Sequence, residues 1–199
     1  MINPYENLYI YYLNGIPKPD PAVEKSPDFL GTWVEEEMAF LFFSSPQEER
    51  VRNLVMRQTG LELVDTYEMT GEEWHGDRIE PYQVEQLRIS PPWLAPERGN
   101  GEERIDISMD PGVVFGTGRH PTTEECLVLV QRILKKETIT SVLDIGTGTG
   151  LLSLGAAALG CRRVLACDFN YLAVRTCQNN VRLNCFQDRV LVFQARGEQ

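Results

Sequence analysis

Apolar residues in the first seventy positions come in short runs separated by turn residues, and the runs predict strands. Leu8 to Leu13 (LYIYYL) is aromatic and β-branched and stops at Asn14-Gly15, which is turn chemistry. Residues 17–31 carry Pro17, Pro19, Pro21 and Pro27, so they read as a loop without a helix. Trp33 to Phe43 (WVEEEMAFLFF) reads as one strand whose aromatic end runs into Ser44-Ser45-Pro46. A helix is predicted from there to about Gln58. Ser45 would be its N-cap, Glu48 would complete a capping box, Val51, Leu54 and Val55 would form the apolar face, and Gly60 would be the stop. Leu61 to Met69 reads as a further strand. The front is thus a small α+β unit over residues 1–69, followed by a connecting segment, 70–104. In that segment Glu72-Glu73-Trp74 opens a short polar piece, Gln83 to Ser90 reads as one strand, and Arg98 to Gly101 reads as a turn.

The back segment, 105–199, alternates strand and helix patterns. Ile105 to Met109 is extended. Thr122 to Lys136 has a helical stripe of Leu127, Val130, Ile133 and Leu134. Ser141 to Ile145 reads as a short buried strand, and Leu151 to Leu159 as an apolar helix closed by Gly160. Arg163 to Cys167 reads as a strand ending at Asp168, Tyr171 to Leu183 as a helix, and Arg189 to Gln194 as a third strand. Strands alternating with helices predict a parallel sheet with right-handed crossovers, an α/β fold.

Composition changes this picture little: 199 residues, 42% hydrophobic and 24% charged, are ordinary globular values. Charge changes it more. The first hundred residues hold 18 acids and 8 bases, whereas the remainder is balanced at 11 of each. Phosphates would be repelled by the front half, so direct nucleic-acid binding is not expected, and a basic protein partner is the compatible one. No apolar run reaches the roughly 18–20 residues of a membrane span, and Met1 to Ile10 lacks the layout of a secretory signal. A cytoplasmic protein without a membrane partner is expected. Five cysteines, Cys126, Cys161, Cys167, Cys177 and Cys185, form no CxxC pair, and His75 and His120 are the only histidines. Buried reduced thiols are expected, with no disulfide framework and no metal site.

The chemistry concentrates in Asp144-Ile145-Gly146-Thr147-Gly148-Thr149-Gly150, placed between a strand and a helix. The helix start offers unpaired amides, and glycines let a ligand approach the backbone. Asp168, at the end of the next strand, is placed to accept hydrogen bonds from the hydroxyls of an adenosyl ribose. The spacing G-x-G-x-G, with Leu151 where the dinucleotide fingerprint has its last glycine, disfavours a nicotinamide cofactor. No lysine follows the loop, which excludes a P-loop. An acid just before the loop suits the cationic amino-acid end of S-adenosylmethionine. Upstream, Met109 to Thr123 (MDPGVVFGTGRHPTT) is dense in glycine and hydroxyls. There Thr122 or Thr123 would cap the next helix and Phe115 could stack on an adenine.

That segment, followed about twenty residues later by D-x-G-x-G-x-G, resembles the PrmA family, methyltransferases of the large-subunit ribosomal stalk-base protein eleven. The likeness runs over residues 72–199 and includes Glu73-Trp74 and Ile89 to Trp93. It implies a partial class I S-adenosylmethionine-dependent methyltransferase domain, Rossmann-like, preceded by a ferredoxin-like substrate-recognition unit. It implies contacts to the cofactor from Thr123, Gly146 and Asp168, with Asp144, Gly148, Gly150, Phe115, Gly116 and Thr117 as neighbours. It also implies methylation of lysine side chains or α-amino groups. His120 is the one nearby base, with a structural role as its plainer reading. Two departures stand out. The proline-rich stretch 17–31 occupies the place of the front unit's first helix. The seven-stranded sheet of this class is present only to its third strand, without the asparagine-containing motif of the following one. The strand Ser141 to Ile145 then becomes an open apolar edge, a site for self-association, and the chain reads as part of a longer product. A non-catalytic S-adenosylmethionine-binding module and a methyltransferase for another substrate are the alternatives.

Overall fold

One aromatic hairpin, two further strands and one amphipathic helix account for most of the first unit of the computed structural model, which describes residues 3–94, 104–114 and 117–195. Contacts divide the chain into two units, one spanning Asn3–Arg78 and the other running from Ile79 onward. The connecting segment expected over 70–104 is therefore shared between them.

In the first unit the order is β1 (Asn7–Asn14), α1 (Pro21–Glu24), β2 (Phe29–Glu35), β3 (Met38–Phe43), α2 (Glu48–Arg57), β4 (Glu62–Thr70) and α3 (Gly71–His75). The sheet order is β2-β3-β1-β4, antiparallel throughout. This is the βαββαβ, ferredoxin-like arrangement. Tyr11, Leu13, Leu41 and Phe43 bury one sheet face against Val51 and Leu54 of α2 and Val23 of α1.

Three expectations are corrected here. The stretch 17–31 does hold a helix, of one turn. Asp20 caps it by accepting the Ala22 amide at 2.8 Å, and Pro21 sits at the first position, where its missing N–H is harmless. Trp33 to Phe43 is not one strand but a hairpin, because Glu36 takes a left-handed φ of 54° and turns the chain. Helix α2 starts at Glu48, with Gln47 as its flanking residue and no side-chain cap. Ser45 accepts the Gln47 side-chain amide at 3.0 Å instead, and the Gln47 backbone amide donates to the Tyr11 hydroxyl at 2.6 Å. The capping box sits further on, at α3, where Thr70 and Glu73 satisfy each other's amides and pull the Glu73 carboxyl below its usual range.

The second unit contains β5 (Tyr82–Val84), β6 (Leu87–Ser90), β7 (Ile105–Ser108), α4 (Pro121–Lys136), β8 (Ser141–Ile145), α5 (Leu151–Ala158), β9 (Arg163–Asp168), α6 (Tyr171–Leu183) and β10 (Val190–Gln194). The stretch expected as one strand, Gln83 to Ser90, is again a hairpin, turned at Glu85 with φ 49°. Strands β5, β6 and β7 form one small sheet. The other, ordered β10-β9-β8 and wholly parallel, carries α5 and α6 on one face. Leu87, Ile89, Ile107, Leu127 and Leu154 are fully buried in the core of this unit.

The second sheet face is bare among the described residues. Strand β8 is an edge, and Leu143 and Ile145 are each 59% exposed, so this strand is not the buried one expected. Leu165 and Leu191 lie in register beside Leu143 and are also exposed. Among the described residues β8 pairs with β9 and with no other strand. Of the five free thiols, Cys161, Cys167 and Cys177 are buried as expected, whereas Cys185 is exposed in the turn after α6, at φ 58°. No described helix is long and apolar enough to cross a membrane. The described residues also hold no group of His, Cys, Asp or Glu suited to a metal.

Candidate functional site

At the C-terminal ends of β8 and β9 the glycine loop is fastened by hydrogen bonds from its own backbone. The amides of Gly146 and Thr147 both donate to the Cys167 carbonyl, at 2.8 and 3.0 Å. The Gly148 amide donates to Oδ2 of Asp168 at 3.0 Å, and the Asn170 amide donates to Oδ1 at 2.9 Å. Asp168 is thus held in one orientation by two backbone donors while buried to all but 7% of its surface. A carboxylate accepts about four hydrogen bonds, so capacity remains on both oxygens.

Asp144 has an internal task. Its Oδ2 accepts the hydroxyls of Thr147 at 2.7 Å and Ser153 at 2.6 Å, tying the loop to the first turn of α5. The loop glycines all have positive φ, 75°, 54° and 88° at Gly146, Gly148 and Gly150. At Gly150 a side chain is disfavoured on two counts: the left-handed backbone, and Cys177 Sγ, which would lie 2.6 Å from an added Cβ and would have to shift. At Gly146 no heavy atom lies within 4 Å of an added Cβ, so the backbone there faces open space. Burial pushes the Cys177 thiol up to about 12, with Asp144 and Asp168 adding to the rise and the Thr147 contact opposing it.

The upstream segment is brought to this loop by packing. Gly118 lies so close to Leu151, the first residue of α5, and to the Tyr82 hydroxyl that a Cβ there would collide with both. Tyr82 donates to the Thr117 carbonyl at 2.9 Å, and its ring carries the Arg119 guanidinium 5.3 Å from the centroid. Burial raises the Tyr82 hydroxyl above the usual phenol range, helped by Glu124 and opposed by Arg119.

His120 and Thr123 pair with each other in the first turn of α4. The His120 carbonyl accepts the Thr123 amide at 2.8 Å, and His120 Nδ1 accepts the Thr122 amide at 3.3 Å. The cap expected from Thr122 or Thr123 is therefore His120, an exposed side chain occupied with the backbone. Phe115 and Gly116 lie outside the described residues.

Sequence reasoning missed Ser153, Tyr82 and Asn180. Asn180, fully buried on α6, donates to the carbonyls of Asp110 and Thr149. Its signal was present: an asparagine beside Cys177 and Val181 on the apolar stripe of a helix is a polar group that burial must satisfy.

The model of one family, described as ribosomal protein L11 methyltransferase (PrmA), matches residues 21–199. The chain is 40% identical over 157 residues to the ribosomal protein L11 methyltransferase of Desulforamulus reducens, covering 73% of this chain and 49% of that protein. It is 36% identical over 172 residues to the enzyme of the same name from Anoxybacillus flavithermus, covering 83% and 51%. A crystal structure of the ribosomal protein L11 methylase from Lactobacillus delbrueckii subsp. bulgaricus superposes with a TM-score of 0.48 at 28% identity, over 56% of this chain and 55% of that one. The chain spans about half the length of the curated relatives it matches.

Proposed function

This chain belongs to the ribosomal protein L11 methyltransferase (PrmA) family, its second unit a partial class I methyltransferase fold, and on that premise we propose that it binds S-adenosylmethionine and serves protein N-methylation. The observation that carries the reading is Asp168, fixed by the Gly148 and Asn170 amides beside the open backbone at Gly146. The residues present fit the cofactor. Asp168 keeps acceptor capacity for ribose hydroxyls, and the absence of side chains at Gly146 and Gly148 leaves room for an adenosyl group to approach the backbone. Thr117 and Thr123 are assigned to the cofactor's surroundings, and Phe115 and Gly116 with them. Asp144 acts by holding Thr147 and Ser153, which fixes the loop.

Bound there, S-adenosylmethionine supplies an electrophilic methyl group on a sulfonium. The protein's part is to place an acceptor amine in line with it and to exclude water. A lysine amine, with an ordinary pKa near 10.4, has to lose its proton first, which burial in the site favours. His120 is not assigned to that proton, because its ring nitrogen caps α4.

The substrate proposed is the ribosomal protein L11 of the family's name, modified on lysine or α-amino groups in the cytoplasm. The acidic first hundred residues suit a basic protein, since opposite potentials steer association. A second reading is a module that binds the cofactor without transferring the methyl group. Methyl-labelled S-adenosylmethionine and purified ribosomal protein L11 separate the two. Label on L11, lost with Asp168→Ala, supports the enzyme. Binding of the cofactor with no label on L11 supports the module.

A further inference from the structure

The side chain of Asn180 joins two loops that are far apart in sequence. Its Nδ2 donates one hydrogen to the Asp110 carbonyl at 2.8 Å and the other to the Thr149 carbonyl at 2.9 Å. Its Oδ1 accepts the Asp110 amide at 2.8 Å. Both donors of the amide are used, no part of the residue is exposed, and the two loops it joins are the upstream segment and the glycine loop.

Helix packing alone does not ask for an asparagine here. A leucine of similar size would suit the apolar stripe of α6, which includes Cys177 and Val181. A buried amide stabilises a fold only when fully satisfied, and what it adds is one defined arrangement of its partners. The arrangement extends on both sides. Asp110 Oδ1 accepts the Gly112 amide at 2.9 Å, which shapes the upstream turn. Thr149 lies between Gly148, whose amide is on Asp168, and Gly150, which packs on Cys177. One turn further along α6, Asn184 repeats the pattern without reaching the glycine loop: it accepts the Ser108 amide at 2.9 Å and donates to the carbonyls of Ser108 and Asn180.

We infer that Asn180 is a positioning residue that couples residues 110–112 to the glycine loop, so that a ligand ordering one loop orders the other. The ligand part rests on the reading of this site as one for S-adenosylmethionine; the coupling itself does not.

The test is amide hydrogen exchange by NMR on the full chain, with S-adenosylhomocysteine as the probe ligand. In the parent protein the ligand should slow exchange in both loops together. In Asn180→Leu it should still slow the glycine loop while residues 110–112 no longer respond, and affinity should fall by about tenfold to a hundredfold. Asn184→Leu removes a similar set of bonds from the same helix and should leave the joint response intact. Asn180→Asp, which keeps the acceptor for the Asp110 amide and loses the donors, is the second variant if the leucine variant does not fold. A joint response that survives in the Asn180 variants overturns the inference. If the parent protein does not bind the ligand, the functional reading fails on its own. Exchange without ligand then decides the coupling: faster exchange in both loops of the variant supports it, and a change confined to one loop overturns it.

Discussion

The Gly148 amide and the Asp168 carboxylate meet at 3.0 Å across the ends of two parallel strands. This one bond makes the acid both a candidate ribose ligand and a fastening of the loop next to it. Asp168→Ala should therefore do two things. It leaves the amides of Gly148 and Asn170 without their acceptor, a loss of about 1–3 kcal/mol of stability. It should also abolish S-adenosylmethionine binding. Asp168→Asn keeps an acceptor for only one of the two amides and turns its NH2 donor towards the other, so it should recover at most part of the stability and little of the binding. Urea unfolding and calorimetry on the same samples check the split.

His120 is expected to matter to α4 and not to the cofactor. Its Nδ1 accepts the Thr122 amide, so His120→Ala should destabilise the protein by about 0.5–2 kcal/mol, and His120→Ser should restore most of that. Cofactor affinity should stay within about twofold of the parent in both. A large loss of affinity with unchanged stability would assign the ring to the site.

Gly150 and Gly146 separate steric from backbone effects. Gly150→Ala meets Cys177 Sγ at 2.6 Å in addition to a φ of 88°, whereas Gly146→Ala meets only a φ of 75°. The first should be the more destabilising, and Cys177→Ala should relieve part of it. A double-mutant cycle in thermal unfolding reads the coupling directly.

The thiols should react in the order of their exposure. Cys185 should label with a thiol reagent in the native protein near pH 8, and Cys177 only on unfolding. The folded state holds the Cys177 proton more tightly than the unfolded chain, whose thiol titrates near 9.0. Its contribution to stability is then complete below about pH 9 and is lost as pH rises towards about 12. Cys177→Ala should flatten that alkaline loss.

The bare face of the β8–β10 sheet should govern association. Leu143→Lys and Ile145→Lys, singly or together, should reduce concentration-dependent self-association in sedimentation experiments.

Strand and helix periods made most of the second unit legible, because Ser141 to Gln194 alternates clean apolar runs with glycine and asparagine boundaries. The two missed hairpins have one cause in common. Both missed hairpins turn at a glutamate with positive φ, Glu36 and Glu85, where the turn chemistry that marks such sites, glycine or asparagine, is absent. Tertiary bonds decided the start of α2, since the Tyr11 hydroxyl takes the Gln47 amide and Ser45 is engaged by a side chain. In the site, Asp168 and the glycine loop were visible from spacing. The task of Asp144 was not, because its partners Thr147 and Ser153 read as ordinary loop and helix residues. Asn180 shows in sequence only as a polar residue on an apolar stripe, and its two loop partners become apparent once the chain is folded.

The most direct test of the account is calorimetric titration of the folded 199-residue chain with S-adenosylmethionine, run beside Asp168→Ala. The account predicts saturable binding at a single site in the parent and none in the variant. A folded parent that does not bind, or a variant that binds equally well, would contradict it.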